Sequence, residues 1–94
     1  MNKQLLKESI KRKEKTLFFF YAEWCEYCDK IRPTIKQIAE SKPGYKLVEL
    51  DDDDENTDDI SELFNVNYLP ALVILSESGY KTYEGSTKIK KLLS

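Results

Sequence analysis

The chain has 94 residues, enough for one hydrophobic core, and we expect a single domain spanning residues 1–94. It is 40% hydrophobic and 34% charged with a net charge of −2, a composition that excludes a wholly disordered chain and a strongly basic nucleic-acid-binding protein. The charge is uneven: residues 1–16 carry six Lys or Arg against two Glu, and residues 51–62 carry eight acids and no base.

The longest apolar run, residues 17–22, is too short for a signal sequence or a membrane span. We therefore expect a cytoplasmic, monomeric protein without membrane or nucleic-acid partners. Two cysteines do not make a disulfide-stapled secreted scaffold. In a reducing compartment, a close cysteine pair is more often catalytic or redox-active than structural.

The first predicted element is a helix over residues 2–15, with Leu6 and Ile10 one turn apart and Leu5 beside them. "TLFFFYA" (16–22) follows without polar alternation, which predicts a central strand covered on both faces. From about residue 25 to 40 the apolar period becomes helical, and "KPG" (42–44) ends it. The apolar face of this helix consists of Ile31, Ile35, Ile38 and Ala39.

Pro33 lies inside that helix and should kink it. "YKLVEL" (45–50) predicts a strand parallel to the first. A short helix should follow, then a buried strand over 71–75 and an antiparallel hairpin strand over 80–84. The expected apolar face of the short helix consists of Ile60, Leu63 and Phe64. Ser86 should cap a last helix. Its apolar stripe consists of Ile89, Leu92 and Leu93.

The two cysteines, Cys25 and Cys28, lie three residues apart in "YAEWCEYCDK". A closed zinc site needs four ligands, and the chain has no histidine, so we predict no metal. Buried, inert cysteines fit poorly because the flanking residues are charged. These charged neighbours are Glu23, Glu26, Asp29 and Lys30.

A redox role explains the position of each cysteine. Residues at i and i+3 on the first turn of a helix are close enough to form a disulfide. The positive end of the helix dipole stabilises a thiolate at the helix N-terminus. Cys25, the more N-terminal and exposed, should therefore attack, and Cys28 should resolve the mixed disulfide.

"AEWCEYCDKIRP" after an aromatic strand resembles the active-site segment of the thioredoxin family, and "LFNVNYLPALVIL" resembles its cis-proline loop and strand. Gly79 and Gly85 match the family's hairpin glycine and its glycine near the last helix. The resemblance implies an α/β thioredoxin-like fold, with a mixed sheet of about four strands flanked by helices on both faces. It also implies reduction of protein disulfides without a cofactor, in electron transport and cell redox homeostasis, with thioredoxin reductase or glutathione as the electron donor.

By the same resemblance, Pro70 is the cis-proline beside the cysteines and Trp24 flanks the nucleophile. The predicted catalytic residues are Cys25 and Cys28. The predicted substrate-binding residues are Trp24, Glu26, Tyr27, Tyr68, Leu69 and Pro70.

The sequence also departs from the thioredoxin pattern. The family's buried aspartate falls on Phe19, and its lysine partner falls near Leu47. Glu26 and Tyr27 replace the usual Gly-Pro, and the tyrosine resembles glutaredoxins, as does the short chain beginning with a helix. A glutathione-dependent, glutaredoxin-like reductase is one alternative function. A non-catalytic binding module on the same fold is another.

The acidic run at residues 51–59 suggests a calcium loop, but the EF-hand spacing fails. Thr57 stands where glycine is required, and Leu63 stands where a bidentate glutamate is required. We expect a solvated loop.

Overall fold

The computed structural model describes residues 3–93. Asn2, at the start of the predicted first helix, lies outside the described residues. The elements are α1 (Lys3–Lys11), β1 (Thr16–Tyr21), α2 (Glu26–Glu40), β2 (Lys46–Asp51), α3 (Asp58–Leu63), β3 (Ala71–Ser76), β4 (Gly79–Glu84) and α4 (Ser86–Lys90). Single 3₁₀ turns, Glu55–Thr57 and Lys91–Leu93, precede α3 and follow α4. Each predicted element is present within a few residues of its expected bounds.

The strands form one mixed sheet in the order β2-β1-β3-β4. β1 is parallel to β2 and antiparallel to β3, and β4 returns antiparallel to β3. The predicted four-stranded thioredoxin-like sheet is thus confirmed. Because β1 and β2 are parallel, their carboxyl ends lie at the same edge of the sheet, where β1 leads into the segment that carries the cysteines.

β1 is buried from Thr16 to Phe20 because helices cover both of its faces. Its side chains alternate between two hydrophobic clusters, as strand geometry requires. On one face, Leu17 and Phe19 pack with apolar residues of α2 and with Ile89 of α4. On the other, Phe18 and Phe20 pack with Leu6 of α1 and with residues of the α3 segment. We call these the redox-side cluster and the far-side cluster.

Two details of the helices differ from the sequence prediction. Leu63 is exposed, because α3 has only six residues and packs through Ile60 and Phe64. Ser86 is not the cap of α4: Gly85 takes the N-cap position with φ +92°, a backbone conformation that glycine adopts without steric cost. Ser86 is therefore already the first helical residue. The Gly85 N–H donates to the carbonyl of Pro70 at 2.8 Å.

The apolar edges of α1 and of the last helical segment are also narrower than expected. Leu5 of α1 is exposed while Leu6 is buried, and Leu93 after α4 is exposed while Ile89 is buried. Pro33 lies within α2, on its exposed side. In residues 3–93, every helix is too short or too polar to cross a membrane.

Candidate redox site

Cys25 is the N-cap residue of α2 and has an extended backbone conformation. Its amide donates to the carbonyl of Ala22 at 3.1 Å, which closes the turn between β1 and α2. The Cys25 Sγ accepts a hydrogen bond from the Cys28 N–H at 3.2 Å. The sulfur therefore takes up one of the amide donors that a helix start leaves unpaired.

Cys25 and Cys28 form a disulfide, with their α-carbons 5.3 Å apart. This spacing falls in the range that a disulfide spans without moving the backbone. The structure confirms that the pair can be bridged, as the i, i+3 spacing at a helix start predicts. No cysteine of the described chain is left unpaired.

The expected difference in burial between the two sulfurs is present but small. Cys25 is 5% exposed and Cys28 is fully buried, so the expectation that Cys25 is exposed is wrong in absolute terms. Both side chains belong to the redox-side cluster, so the disulfide is part of the hydrophobic core. The charged neighbours, by contrast, reach solvent as expected.

The Leu69–Pro70 peptide bond is cis, as predicted. Pro70 is buried, and Leu69 packs against the redox-side cluster that contains both cysteines. The fold therefore brings the loop before β3 to the cluster that contains the disulfide, although about forty residues separate them in sequence.

Three aromatic side chains lie exposed around these segments. Trp24 is 70% exposed, Tyr27 is 66% exposed, and Tyr68 is 72% exposed. Large exposed rings are costly to leave in water and are enriched where proteins bind one another. Glu26 is exposed in the first turn of α2, where a carboxylate is favoured by the helix dipole. The substrate-binding role of these residues stays a prediction.

Sequence reasoning missed Glu84, at the end of β4. Its Oε2 accepts the backbone N–H groups of Asn67 and Tyr68, both at 2.8 Å. Hydrogen bonds to a charged acceptor are stronger than neutral ones, so Glu84 fixes the loop that leads to the cis-proline. No local sequence pattern marks this contact.

Sequence reasoning also missed a charged group beside Phe19. The Arg32 guanidinium lies over the rings of Phe19 and Tyr21, 5.4 and 4.5 Å from their centroids. It donates to Glu49 at 2.6 Å and more weakly to Asp29 at 3.5 Å. The β1–β2 register places Glu49 opposite Phe19. Leu47, the expected position of the partner, lies opposite Leu17 instead, two residues away.

The acidic loop after β2 lies at the same sheet edge, since the Asp52 N–H donates to the carbonyl of Tyr21 at 2.7 Å. Residues 53–56 are exposed, as expected of a solvated loop, and the Asp54 side chain caps the 3₁₀ turn. Partial burial raises the pKa of Asp52, and the nearby carboxylates of Asp53, Asp58 and Asp51 raise it further. Between residues 3 and 93, no group of three or more His, Cys, Asp or Glu side chains is arranged to hold a metal ion.

The sequence matches the family model described as Thioredoxin over residues 1–94. The chain belongs to the thioredoxin family. Among curated relatives, it is 26% identical over 76 residues to a thioredoxin of Mycoplasmoides gallisepticum, covering 81% of this chain and 74% of that protein. It is 32% identical over 77 residues to a protein disulfide-isomerase of Triticum aestivum, covering 81% of this chain but only 15% of that longer protein.

The structure of oxidised thioredoxin O2 from Arabidopsis thaliana superposes with a TM-score of 0.79 at 19% identity, covering 98% of this chain and 86% of that one. This likeness shows the thioredoxin fold. Family membership together with the Cys25–Cys28 disulfide makes this member of the thioredoxin family a thiol–disulfide oxidoreductase.

Proposed function

We propose that the protein reduces disulfide bonds in protein substrates, with Cys25 as the attacking residue and Cys28 as the resolving residue. The observation that carries this proposal is the Cys25–Cys28 disulfide at the N-terminus of α2, packed in one cluster with Leu69 of the cis-proline loop. A helix N-terminus favours the thiolate that the exchange reaction needs.

The reaction has two exchange steps. In the reduced protein, the Cys25 thiolate attacks one sulfur of the substrate disulfide, forms a mixed disulfide, and releases the other substrate sulfur as a thiolate. Cys28 then loses its proton to solvent and attacks the Cys25 Sγ. The bond between Cys25 and the substrate breaks, the Cys25–Cys28 bond forms, and the substrate has received two electrons.

Substrate binding in this proposal uses the exposed surface around the disulfide. The backbone at Leu69, beside the cis-proline, pairs with the substrate chain in a strand-like manner. Trp24, Tyr27 and Tyr68 contact the substrate through their rings, while Glu26 adds a negative charge at the rim. This surface suits a folded or extended protein chain better than a small molecule enclosed in a pocket.

We further propose that the protein works as a monomer in the cytoplasm, within an electron-transport chain supplied by a thioredoxin reductase. Glutathione is the alternative donor, favoured by the glutaredoxin-like Tyr27 between the cysteines. A non-catalytic binding role is the remaining alternative.

One assay separates these functions. A protein disulfide is offered to the reduced protein, with turnover driven either by NADPH and a thioredoxin reductase or by glutathione. The proposal expects turnover with the reductase and none from a Cys25→Ser variant. Turnover with glutathione alone would favour the glutaredoxin-like function. No turnover with either donor, together with full biological activity of the Cys25→Ser, Cys28→Ser protein, would favour a binding module.

A further inference from the structure

The resolving thiol lies in an apolar interior. Cys28 is fully buried, and the other buried members of the redox-side cluster, apart from Cys25, are aliphatic or aromatic. An ionised group in such surroundings loses its hydration and is costly to form. Charges at the rim of the cluster therefore act on the Cys28 thiolate with less screening than charges surrounded by solvent on all sides.

Arg32 is a cation that the fold holds at this rim. It follows Cys28 by four residues on α2, which places the two side chains on the same face of the helix. Its contact with Asp29, three residues earlier, shows that the side chain extends back toward the turn of Cys28. Its guanidinium covers the ring of Phe19, which packs in the same cluster as Cys28.

Glu49 opposes Arg32 from the neighbouring strand. Its carboxylate accepts a hydrogen bond from the guanidinium at 2.6 Å, with Arg32 partly buried and Glu49 exposed. This contact holds the cation over the Phe19 and Tyr21 rings, but its negative charge also offsets part of the field of Arg32. The two residues therefore have the same structural role and opposite electrostatic effects.

We propose that Arg32 is a positioning residue of the resolving step, whose positive charge over Phe19 stabilises the Cys28 thiolate, and that Glu49 limits this stabilisation. The inference rests on the proposed function, because it assigns resolution to Cys28. Arg32 does not touch the reacting sulfurs. It acts through the field it creates in the cluster, and so raises the fraction of Cys28 present as the nucleophilic thiolate.

Apart from Arg32, the following charged or titratable groups lie near the cluster. On α2 they are Glu26, Asp29 and Lys30; from β1, β2 and β4 they are Tyr21, Glu49 and Tyr83; Tyr45 precedes β2. None of these except Glu49 is altered in the variants below. A change in the titration of Cys28 then reports on the Arg32–Glu49 pair.

The experiment titrates Cys28 alone, in the Cys25→Ser protein, by its ultraviolet thiolate absorbance and by its alkylation rate against pH. Adding Arg32→Met should move the midpoint of thiolate formation up by about 0.5–1 pH unit. Adding Glu49→Gln should move it down. Lys36→Met removes a cation from an exposed position one turn further along α2 and should leave the midpoint unchanged.

The opposite signs separate electrostatics from structure, because both substitutions break the same ion pair. Midpoints that move in the same direction, or that do not move, would overturn the inference. Arg32→Lys keeps the charge without the planar guanidinium, so the Cys28 midpoint should stay close to that of the Cys25→Ser protein. With Cys25 restored, Arg32→Met should lengthen the lifetime of the mixed disulfide about 2- to 3-fold at neutral pH.

The titration does not depend on turnover. If the protein fails to reduce protein disulfides but the two midpoints shift in opposite directions, the proposed function fails and the electrostatic assignment stands. If the protein reduces disulfides normally and the midpoints do not shift, the proposed function stands and the electrostatic assignment fails.

Discussion

The Glu84 carboxylate accepts the backbone N–H of Tyr68 at 2.8 Å, and this contact joins the end of β4 to the loop that precedes the cis-proline. The same oxygen accepts the Asn67 N–H. A single side chain thus holds two consecutive amides of a segment that otherwise projects into solvent.

Replacing Glu84 by Gln should therefore loosen the loop. We expect a loss of about 1–2 kcal/mol in the free energy of unfolding, since hydrogen bonds to a charged acceptor contribute about 1.5–3 kcal/mol. Disulfide reductase activity should fall as well, because Leu69 and Pro70 are less well positioned. Urea denaturation and the turnover assay measure the two effects. Glu77→Gln, in the exposed β3–β4 turn, is the control, and an equal effect of both variants would contradict this role.

Cys25 should react before Cys28 when the reduced protein is treated with an alkylating reagent at neutral pH. Cys25 lies at the N-cap of α2 and retains some exposure, whereas Cys28 has none. Mass mapping after brief alkylation identifies the labelled residue. Faster labelling of Cys28 would reverse the assigned roles.

Tyr68→Ala should weaken the binding of a protein substrate with little effect on stability. The ring is mostly exposed, so its removal opens no cavity, whereas an aromatic residue at a protein interface commonly contributes about 1–2 kcal/mol or more to binding. The expected result is an increase in KM of about 5- to 30-fold. Leu63→Ala, at an exposed apolar side chain on α3, is the control and should leave KM unchanged.

Phe19→Asp places a carboxylate in the redox-side cluster. We expect the protein to lose about 3–5 kcal/mol of stability, because a buried ring is lost and a polar group is buried. Where the variant is still folded, the new carboxylate can accept the proton of Cys28, so the mixed disulfide should resolve faster. The gain should be below the usual 10²–10⁴-fold of general-base catalysis, since the surroundings are not arranged for it.

The lifetime of the mixed disulfide between Cys25 and a substrate measures this effect. Phe19→Leu keeps the site apolar and is the control for the lost ring. An unchanged or longer lifetime in Phe19→Asp would mean that proton removal from Cys28 is not rate-limiting.

Asp52→Asn should stabilise the protein at neutral pH. Burial, followed by the neighbouring carboxylates, raises the pKa of Asp52 above its ordinary value of 3.8, so folding favours the protonated form. The stabilising contribution of that form is complete below pH 3.8 and is lost as the pH rises through the higher folded-state pKa. The gain in the variant should be below about 1 kcal/mol, because solvent screens the loop.

Denaturant midpoints across this pH range provide the test. The advantage of Asp52→Asn over the wild-type protein should shrink as the pH falls and vanish in strong acid. An advantage independent of pH would point to a cause other than charge.

The order of the elements and the bridged cysteines were predictable from the sequence, because apolar periodicity and the cysteine spacing encode them locally. The cis peptide at Pro70 was predicted from the resemblance to the thioredoxin family. The prediction that Leu63 lies on the apolar face of α3 was wrong, because a six-residue helix has room for fewer core positions than its apolar residues suggest. The contacts of Glu84 with Tyr68 and of Arg32 with Glu49 join residues 16 and 17 positions apart. Only the register of the sheet and the packing of α2 bring them together, and no local pattern carries that information.

The sheet separates the redox-side cluster from the far-side cluster, and the two differ in how far substitutions within them affect the disulfide. A substitution of Leu6, Phe18 or Phe64 alters the far-side cluster, which does not contain the disulfide. We expect it to change stability and to leave the redox chemistry intact. Leu69 packs against both clusters and is the exception. Among residues 3–93, Leu69 therefore links the far-side cluster to the redox-side cluster, and we expect compensating changes during evolution to concentrate around it.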